Sequence, residues 1–164
     1  MPAEDPEPYL DAAGRLAAAS GGGDGRGAAQ QVAVLALPPA AAIGRLLVAW
    51  SLVAGAALVV EPHPQALVAT AAWARPTLFA GDRRELARLA AEAARFERTS
   101  VGGLARRLAV VCGRRAEPPP PFGRLRVLLE CAAAGGGSGA AEMDVDAFFA
   151  DRGVVRFAAA ELLP

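Results

Sequence analysis

The chain has 164 residues, about the length of a single domain, and 54% of them are hydrophobic, which is enough to bury one core. Its 17 basic residues, all of them arginines, balance 17 acidic residues, so the net charge favours neither nucleic acid nor an anionic membrane as a partner. The absence of lysine from this sequence excludes Schiff-base chemistry and the other catalytic roles of a lysine amine.

The first 31 residues are predicted to precede the main domain. Residues 1–8 are acidic and proline-rich, residues 9–19 carry apolar side chains at helical spacing, and residues 20–27 read SGGGDGRG. This glycine-rich stretch lacks the lysine and the Ser or Thr of a phosphate-binding loop. It also follows a predicted helix, whereas a phosphate-binding loop follows a strand. We therefore expect an acidic lead, a short helix and a linker over residues 1–31, and a single α/β domain over residues 32–164.

From residue 31 onward, apolar runs alternate with amphipathic segments. Prolines close the first run, Gly55 is placed to end the helix after it, and Asp82 is placed to cap the longest helix. The predicted strands span residues 31–39, 56–62, 76–81, 124–132 and 154–161, and the predicted helices span residues 40–55, 64–75, 82–98 and 141–153. Residues 99–123 are predicted to form a short helix and a polyproline linker. The alternation predicts a three-layer α/β fold, a mostly parallel sheet flanked by helices.

Six short sequence motifs follow one another along the chain. They are LPPAAAIGR, GAALVV, ARPTLFAGDRRELARL, RLRVLLECAAAG, DAFFADRGV and RFAAAE, and they extend over about residues 32–161. In their order and spacing they resemble motifs of the acyl-adenylate-forming, or AMP-binding, superfamily, and most nearly those of the long-chain fatty acid CoA ligases. The resemblance implies the fold of a central subdomain of these enzymes, a fatty acyl substrate, and ATP or AMP with Mg²⁺ as cofactors.

The sequence departs from the family pattern at several positions in the first four motifs. Ala41 stands where the family has a histidine, and Arg83 stands where it has a proline, although Arg84 is retained. The small-residue turn, at which substrate and nucleotide approach the backbone, is replaced by residues 130–133, which read ECAA. These changes put the binding functions of the family in doubt for this chain.

The last motif retains two side chains of the family pattern YGxTE. Phe157 keeps the aromatic ring, which by resemblance would lie near the adenine, and Glu161 keeps the carboxylate, which by resemblance would coordinate Mg²⁺. Ala158 and Ala160 replace the glycine and the threonine. Phe157 and Glu161 are therefore the candidate cofactor-binding residues, with Glu161 as the candidate metal ligand.

Adenylate formation brings two anions together, so it depends on cations, hydroxyls and backbone amides held around the phosphates. The family's phosphate loop, ribose-binding aspartate and catalytic lysine have no counterpart in this sequence. The loss of a single electrostatic donor costs about 10² to 10³ in rate. We therefore expect a truncated or degenerate homologue of a long-chain acyl-CoA synthetase that is inactive alone.

Two cysteines, Cys112 and Cys131, and one histidine, His63, are too few for a zinc site of standard spacing or for a disulfide framework. His63 lies between two prolines and is expected in an exposed turn, whereas the cysteines are expected to pack as reduced, small apolar residues of a cytoplasmic protein. The longest apolar run, residues 46–60, has 15 residues. That is fewer than the roughly 20 that span a bilayer, so no transmembrane segment is expected.

Two alternatives to the ligase-like interpretation stay open. Uncovered sheet edges and apolar faces would suit a protein-interaction module, a subunit that completes or regulates another acyl-activating protein, or a homo-oligomer. An unrelated doubly wound domain would bind a small anion or nucleotide at the carboxyl ends of its strands. A loop rather than an anion site is predicted for GGGSG at residues 135–139, and a solvated face rather than a nucleic-acid site for Arg106, Arg107, Arg114 and Arg115.

Overall fold

A computed structural model of the chain describes residues 7–20, 31–37, 41–99, 124–131 and 144–162. The strands are β1 (Val32–Leu35), β2 (Ala57–Val60), β3 (Leu78–Asp82), β4 (Val127–Cys131) and β5 (Val155–Ala158). The helices are α1 (Glu7–Ala19), α2 (Ala42–Ala54), α3 (Leu67–Ala74), α4 (Arg83–Thr99), α5 (Val145–Ala150) and α6 (Ala159–Leu162). All strand pairs are parallel, and the sheet has the order β2-β1-β3-β4-β5.

The predicted fold class, a parallel sheet flanked by helices in a three-layer α/β arrangement, is confirmed. The polyproline linker, the GGGSG segment, the arginine cluster and Cys112 lie outside the described residues. Within the described ranges, no helix combines the length and the apolar character that crossing a membrane requires.

Helices cover both faces of the sheet and create two hydrophobic clusters. The first cluster packs α3, α4 and α5 against one face, around Val34 and Phe79. The second packs α1, α2 and α6 against the other face, around Leu35 and Leu129. The helix between β1 and β2 lies on the second face and the helices after β2, β3 and β4 lie on the first. Connections of one handedness require this distribution, because the crossover from β1 to β2 runs along the sheet in the direction opposite to the later crossovers.

The helix boundaries predicted from Gly55 and Asp82 are confirmed by local hydrogen bonds. Gly55 adopts a left-handed conformation with a φ of 62°, and its N–H donates to the carbonyl of Ser51, which ends α2. At the start of α4, Asp82 Oδ1 accepts from Glu85 N at 2.9 Å, and Glu85 Oε2 accepts from Asp82 N at 2.7 Å. This reciprocal capping box lets the helix begin directly after β3, with no loop between them.

The fifth strand is shorter than predicted. The sequence pattern extends the strand to residue 161, but β5 ends at Ala158 and α6 forms one helical turn from Ala159. Alanine has the strongest helix propensity, and the turn also buries Leu162, which is 4% exposed. Glu161 Oε2 accepts a hydrogen bond from Ala158 N at 3.2 Å, which satisfies a backbone donor at the start of the turn.

The N-terminal helix α1 packs directly on the sheet domain. Ala12, Ala13 and Leu16 are fully buried in the second cluster. At one end of the same interface, the Arg45 guanidinium lies 5.5 Å from the centre of the Tyr9 ring. Helix α1 is therefore part of the layer that covers the second face.

We expect Gly81→Ala to destabilise the fold, because a Cβ at this position would lie 2.7 Å from Glu85 Oε2 and 2.8 Å from the Phe79 ring. Overpacking of this kind costs about 1 to 3 kcal/mol in the free energy of unfolding, measured by urea denaturation. Gly14→Ala is the control, because a Cβ there meets no atom within 4 Å. It should stabilise α1 by about 0.5 to 1 kcal/mol. Equal effects of the two substitutions would contradict the close packing at Gly81.

Candidate functional site

A cleft of about 380 Å³ opens on the first face of the sheet, beside the edge strand β5. Its floor consists of buried apolar side chains contributed by α4, β4, α5 and the entry to β5, namely Leu86, Leu128, Val145, Phe149 and Val154. Such a floor takes apolar ligand surface out of water, which provides about 25 cal/mol for each Å² buried.

The rim of the cleft is exposed and carries the polar groups. Asp146 and Ala150 come from α5, Arg156 from β5, and Glu161 from α6, and all four are exposed. An apolar floor with a few polar groups at the opening is a common feature of small-molecule sites.

Local hydrogen bonds hold α5 in position along the cleft. Asp144 Oδ1 caps the helix by accepting from Asp146 N at 3.1 Å and from Ala147 N at 3.0 Å. Beyond the other end of the helix, the Arg152 guanidinium stacks 3.6 Å from the Phe148 ring centre, and its Nη1 donates to the Phe148 carbonyl at 2.6 Å. Phe149 is thereby directed into the floor of the cleft while Phe148 packs beside it.

Four charged side chains form an ion-pair network next to the cleft. Arg83 Nη1 lies 3.6 Å from Glu130 Oε1, and Arg83 Nη2 lies 3.5 Å from Asp146 Oδ2. Arg156 Nε lies 3.0 Å from Glu130 Oε2, and Arg156 Nη1 also contacts Asp146 Oδ1. Each arginine therefore contacts both carboxylates, and the network joins α4, β4, α5 and β5. The contact between Arg156 Nε and Glu130 lacks hydrogen-bond geometry, so its attraction is that of the two charges.

The ion-pair network shifts the pKa values of Asp146 and Arg83. Partial burial acts to raise the pKa of Asp146, but the hydrogen bond and charge of Arg156, together with Arg83, outweigh it and lower that pKa. The charge of Asp146, more than that of Glu130, raises the pKa of Arg83. The network pairs two arginines with two carboxylates, so its formal charges sum to zero.

The two residues predicted from the last motif lie on opposite faces of the sheet. Phe157 is half-buried against the second cluster, on the face covered by α1, α2 and α6. Glu161 is exposed and lines the cleft, which opens on the first face. Their roles toward adenine and Mg²⁺ stay predictions. Across the described ranges, no group of three or more His, Cys, Asp or Glu side chains is arranged to hold a metal ion.

The other candidate side chains have structural environments. His63 is 76% exposed after β2, as predicted, and its Nδ1 lies 3.2 Å from Glu61 Oε1. Glu61 also accepts from His63 N and from Thr70 Oγ1, and these hydrogen bonds lower the pKa of Glu61. Cys131 is buried, as predicted, and burial, followed by the charges of Glu85, Asp82 and Glu130, raises the pKa of its thiol to about 12. A thiol in this state is a packing group and a poor nucleophile.

Sequence reasoning missed Asp146 and Arg156, which supply half of the ion-pair network. A usable signal was present, because Arg156 is a lone charge in an apolar strand and Asp146 lies in the first turn of the helix before it. Oppositely charged side chains on a helix and on the strand that follows it can form an ion pair when both lie toward the carboxyl edge of the parallel sheet. The pairing of Arg156 with Glu130 and of Asp146 with Arg83 depends on strand order, which the sequence pattern does not specify.

The sequence matches no protein-family model, and it matches no curated protein. The fold and the cleft geometry are therefore the basis on which a function is proposed.

We expect the advantage of wild type over Asp146→Asn to depend on pH. The pKa of Asp146 is lower in the folded chain than the value of about 3.9 in the unfolded chain, so its stabilisation is fully present above that value. It is lost as the pH falls through the folded-state pKa. Urea denaturation at pH 7 should show wild type more stable by up to about 1 kcal/mol, with the difference shrinking below pH 4. Asp11→Asn on α1 is the control, and a pH-independent difference would contradict the assignment.

We expect Cys131 to resist modification in the folded chain. In a Cys112→Ser variant, which isolates the signal, a pKa of about 12 leaves a thiolate fraction near 10⁻⁴ at pH 8. Reaction with Ellman's reagent should be slow in buffer and fast in urea. Similar rates under both conditions would contradict the burial of the thiol.

Proposed function

We propose that this chain is a degenerate, non-catalytic relative of the long-chain fatty acid CoA ligases that holds an acyl chain without activating it. The observation that carries the proposal is the cleft beside β5, where five buried apolar side chains lie beneath a rim that includes Glu161. Glu161 is also the residue that keeps its identity in the last motif of the resemblance. An acyl chain is the ligand for which an apolar floor of this kind is suited.

The Cys131 thiol and the His63 imidazole are not placed to react with a ligand in the cleft, which supports binding over catalysis. The Cys131 thiol is protonated and buried, and His63 lies beyond β2, whereas the cleft lies beside β5 at the opposite edge of the sheet. Four strand spacings separate these edges, or about 19 Å. A general base must come within about 3 Å of the proton that it removes, so His63 is too distant to serve a ligand in the cleft.

The strand order supports a second candidate function. The chain reverses direction between β1 and β3, and ligands of doubly wound sheets bind at the carboxyl ends of the strands at such a point. The first turn of α2 begins there without a side-chain cap. Asp82 and Glu85 stand at the end of the adjacent strand β3, and their carboxylates oppose binding of a phosphate. A small-anion site is therefore the weaker candidate.

The acyl-chain proposal predicts binding without turnover. Methyl hexanoate, a neutral acyl ester, should shift the amide resonances of α5 and β5 in ¹⁵N-labelled protein. An affinity in the millimolar range is expected, from about 0.3 kcal/mol for each non-hydrogen atom. With ATP, Mg²⁺ and a panel of fatty acids, no pyrophosphate should be released above background.

Ala150→Phe is the matched variant for this experiment, because Ala150 is exposed on the cleft rim and a larger side chain there occupies the cleft without removing core packing. It should abolish the response to the ester. Robust pyrophosphate release would overturn the non-catalytic assignment. If the Ala150→Phe variant binds the ester as tightly as wild type does, the assignment of the ester to this cleft is wrong. Inorganic phosphate or AMP that shifts the amides of the first turn of α2 instead would favour the second candidate.

A further inference from the structure

We infer that the cleft selects a ligand with a positively charged polar end, so that an alkyl amine binds in preference to the carboxylate of the same chain length. The inference rests on the proposed function for the apolar chain and adds the chemical class of the head group. It follows from the charges around the rim, which are not equivalent.

Two of the three charged rim residues, Arg156 and Asp146, already have oppositely charged partners in the ion-pair network. Arg156 contacts the carboxylates of Glu130 and Asp146, and Asp146 in turn contacts Arg83. The side chain of Glu130 is 17% exposed, whereas those of Arg83, Arg156 and Asp146 are 39% to 45% exposed, so Glu130 is the least exposed member of the network. A ligand carboxylate would have to displace Glu130 or Asp146 to gain an arginine.

Glu161 is the rim charge that remains uncompensated. No arginine of the described ranges forms an ion pair with it, and its Oε2 accepts from Ala158 N at 3.2 Å. This hydrogen bond leaves the net charge at −1, and a carboxylate can accept several further hydrogen bonds from a ligand ammonium group. The field at the rim therefore attracts a cation and repels an anion over about 10 Å at 0.1 M salt.

The cleft size is consistent with a small amphiphile. Its volume of about 380 Å³ lies in the lower part of the range for small-molecule sites. The apolar floor accepts the alkyl chain, and Glu161 accepts hydrogen bonds from the ammonium at the exposed end. The ligand class is thus a short or medium apolar chain that ends in an amine or another monocation.

The test is a titration of ¹⁵N-labelled protein with hexylamine hydrochloride, methyl hexanoate and sodium hexanoate, at pH 7 and low salt. The three probes share the alkyl chain and differ in head-group charge. Hexylamine should bind about two- to fivefold more tightly than the ester, and hexanoate more weakly than the ester by a similar factor, as expected for a partly screened single charge. The differences should shrink in 1 M salt, where the Debye length is about 3 Å.

Glu161→Gln tests the residue, because glutamine keeps an oxygen that can accept from Ala158 N while the charge is removed. The three probes should then bind with similar affinity. Asp11→Asn, which removes the same charge from α1 on the other face, should leave the preference intact. Equal binding of the three probes to wild type, or tighter binding of hexanoate, would overturn the inference while leaving the acyl-chain proposal in place. If no probe binds, the proposed function itself fails.

Discussion

The junction between β3 and α4 is the constraint on which the rest of the site depends. The strand ends at Asp82 and the helix begins at the next residue, so no loop absorbs an error in helix direction. The hydrogen bonds between Asp82 and Glu85 fix the first turn, and Glu85 can lie this close only because Gly81 has no Cβ. From this fixed start, Leu86 reaches the cleft floor and Arg83 reaches the ion-pair network.

The charged residues near the cleft are of two kinds, namely the four members of the ion-pair network and Glu161, which lies outside it. The network places two positive and two negative charges across four elements, so it holds β5 and α5 to the sheet without adding net charge to the site. Because its members are partly exposed, its value lies more in positioning than in a large free energy. Glu161 lies outside the network, and its carboxylate determines the sign of the net charge at the rim.

The sequence predicted the fold class, because strands buried on both faces read as continuous apolar runs, and it predicted the helix end at Gly55 and the helix start at Asp82. The sequence pattern placed residue 161 in a strand. A run of alanines has no hydrophobic periodicity by which a strand could be distinguished from a helix. The helical turn there follows from burial of Leu162, which is a tertiary effect. The cleft could not be predicted, because it depends on which strands are neighbours in the sheet. The contact between Arg83 and Asp146 could not be predicted for the same reason.

The pairing of β3 with β4 unites distant parts of the chain. Asp82 stands opposite Cys131, and Arg83 meets Asp146, which lies 63 positions later. No residue separates β3 from α4, so an inserted or deleted residue at this junction would rotate the helix and move Arg83 away from Asp146. Over evolution, homologous chains should therefore keep the length of this junction constant.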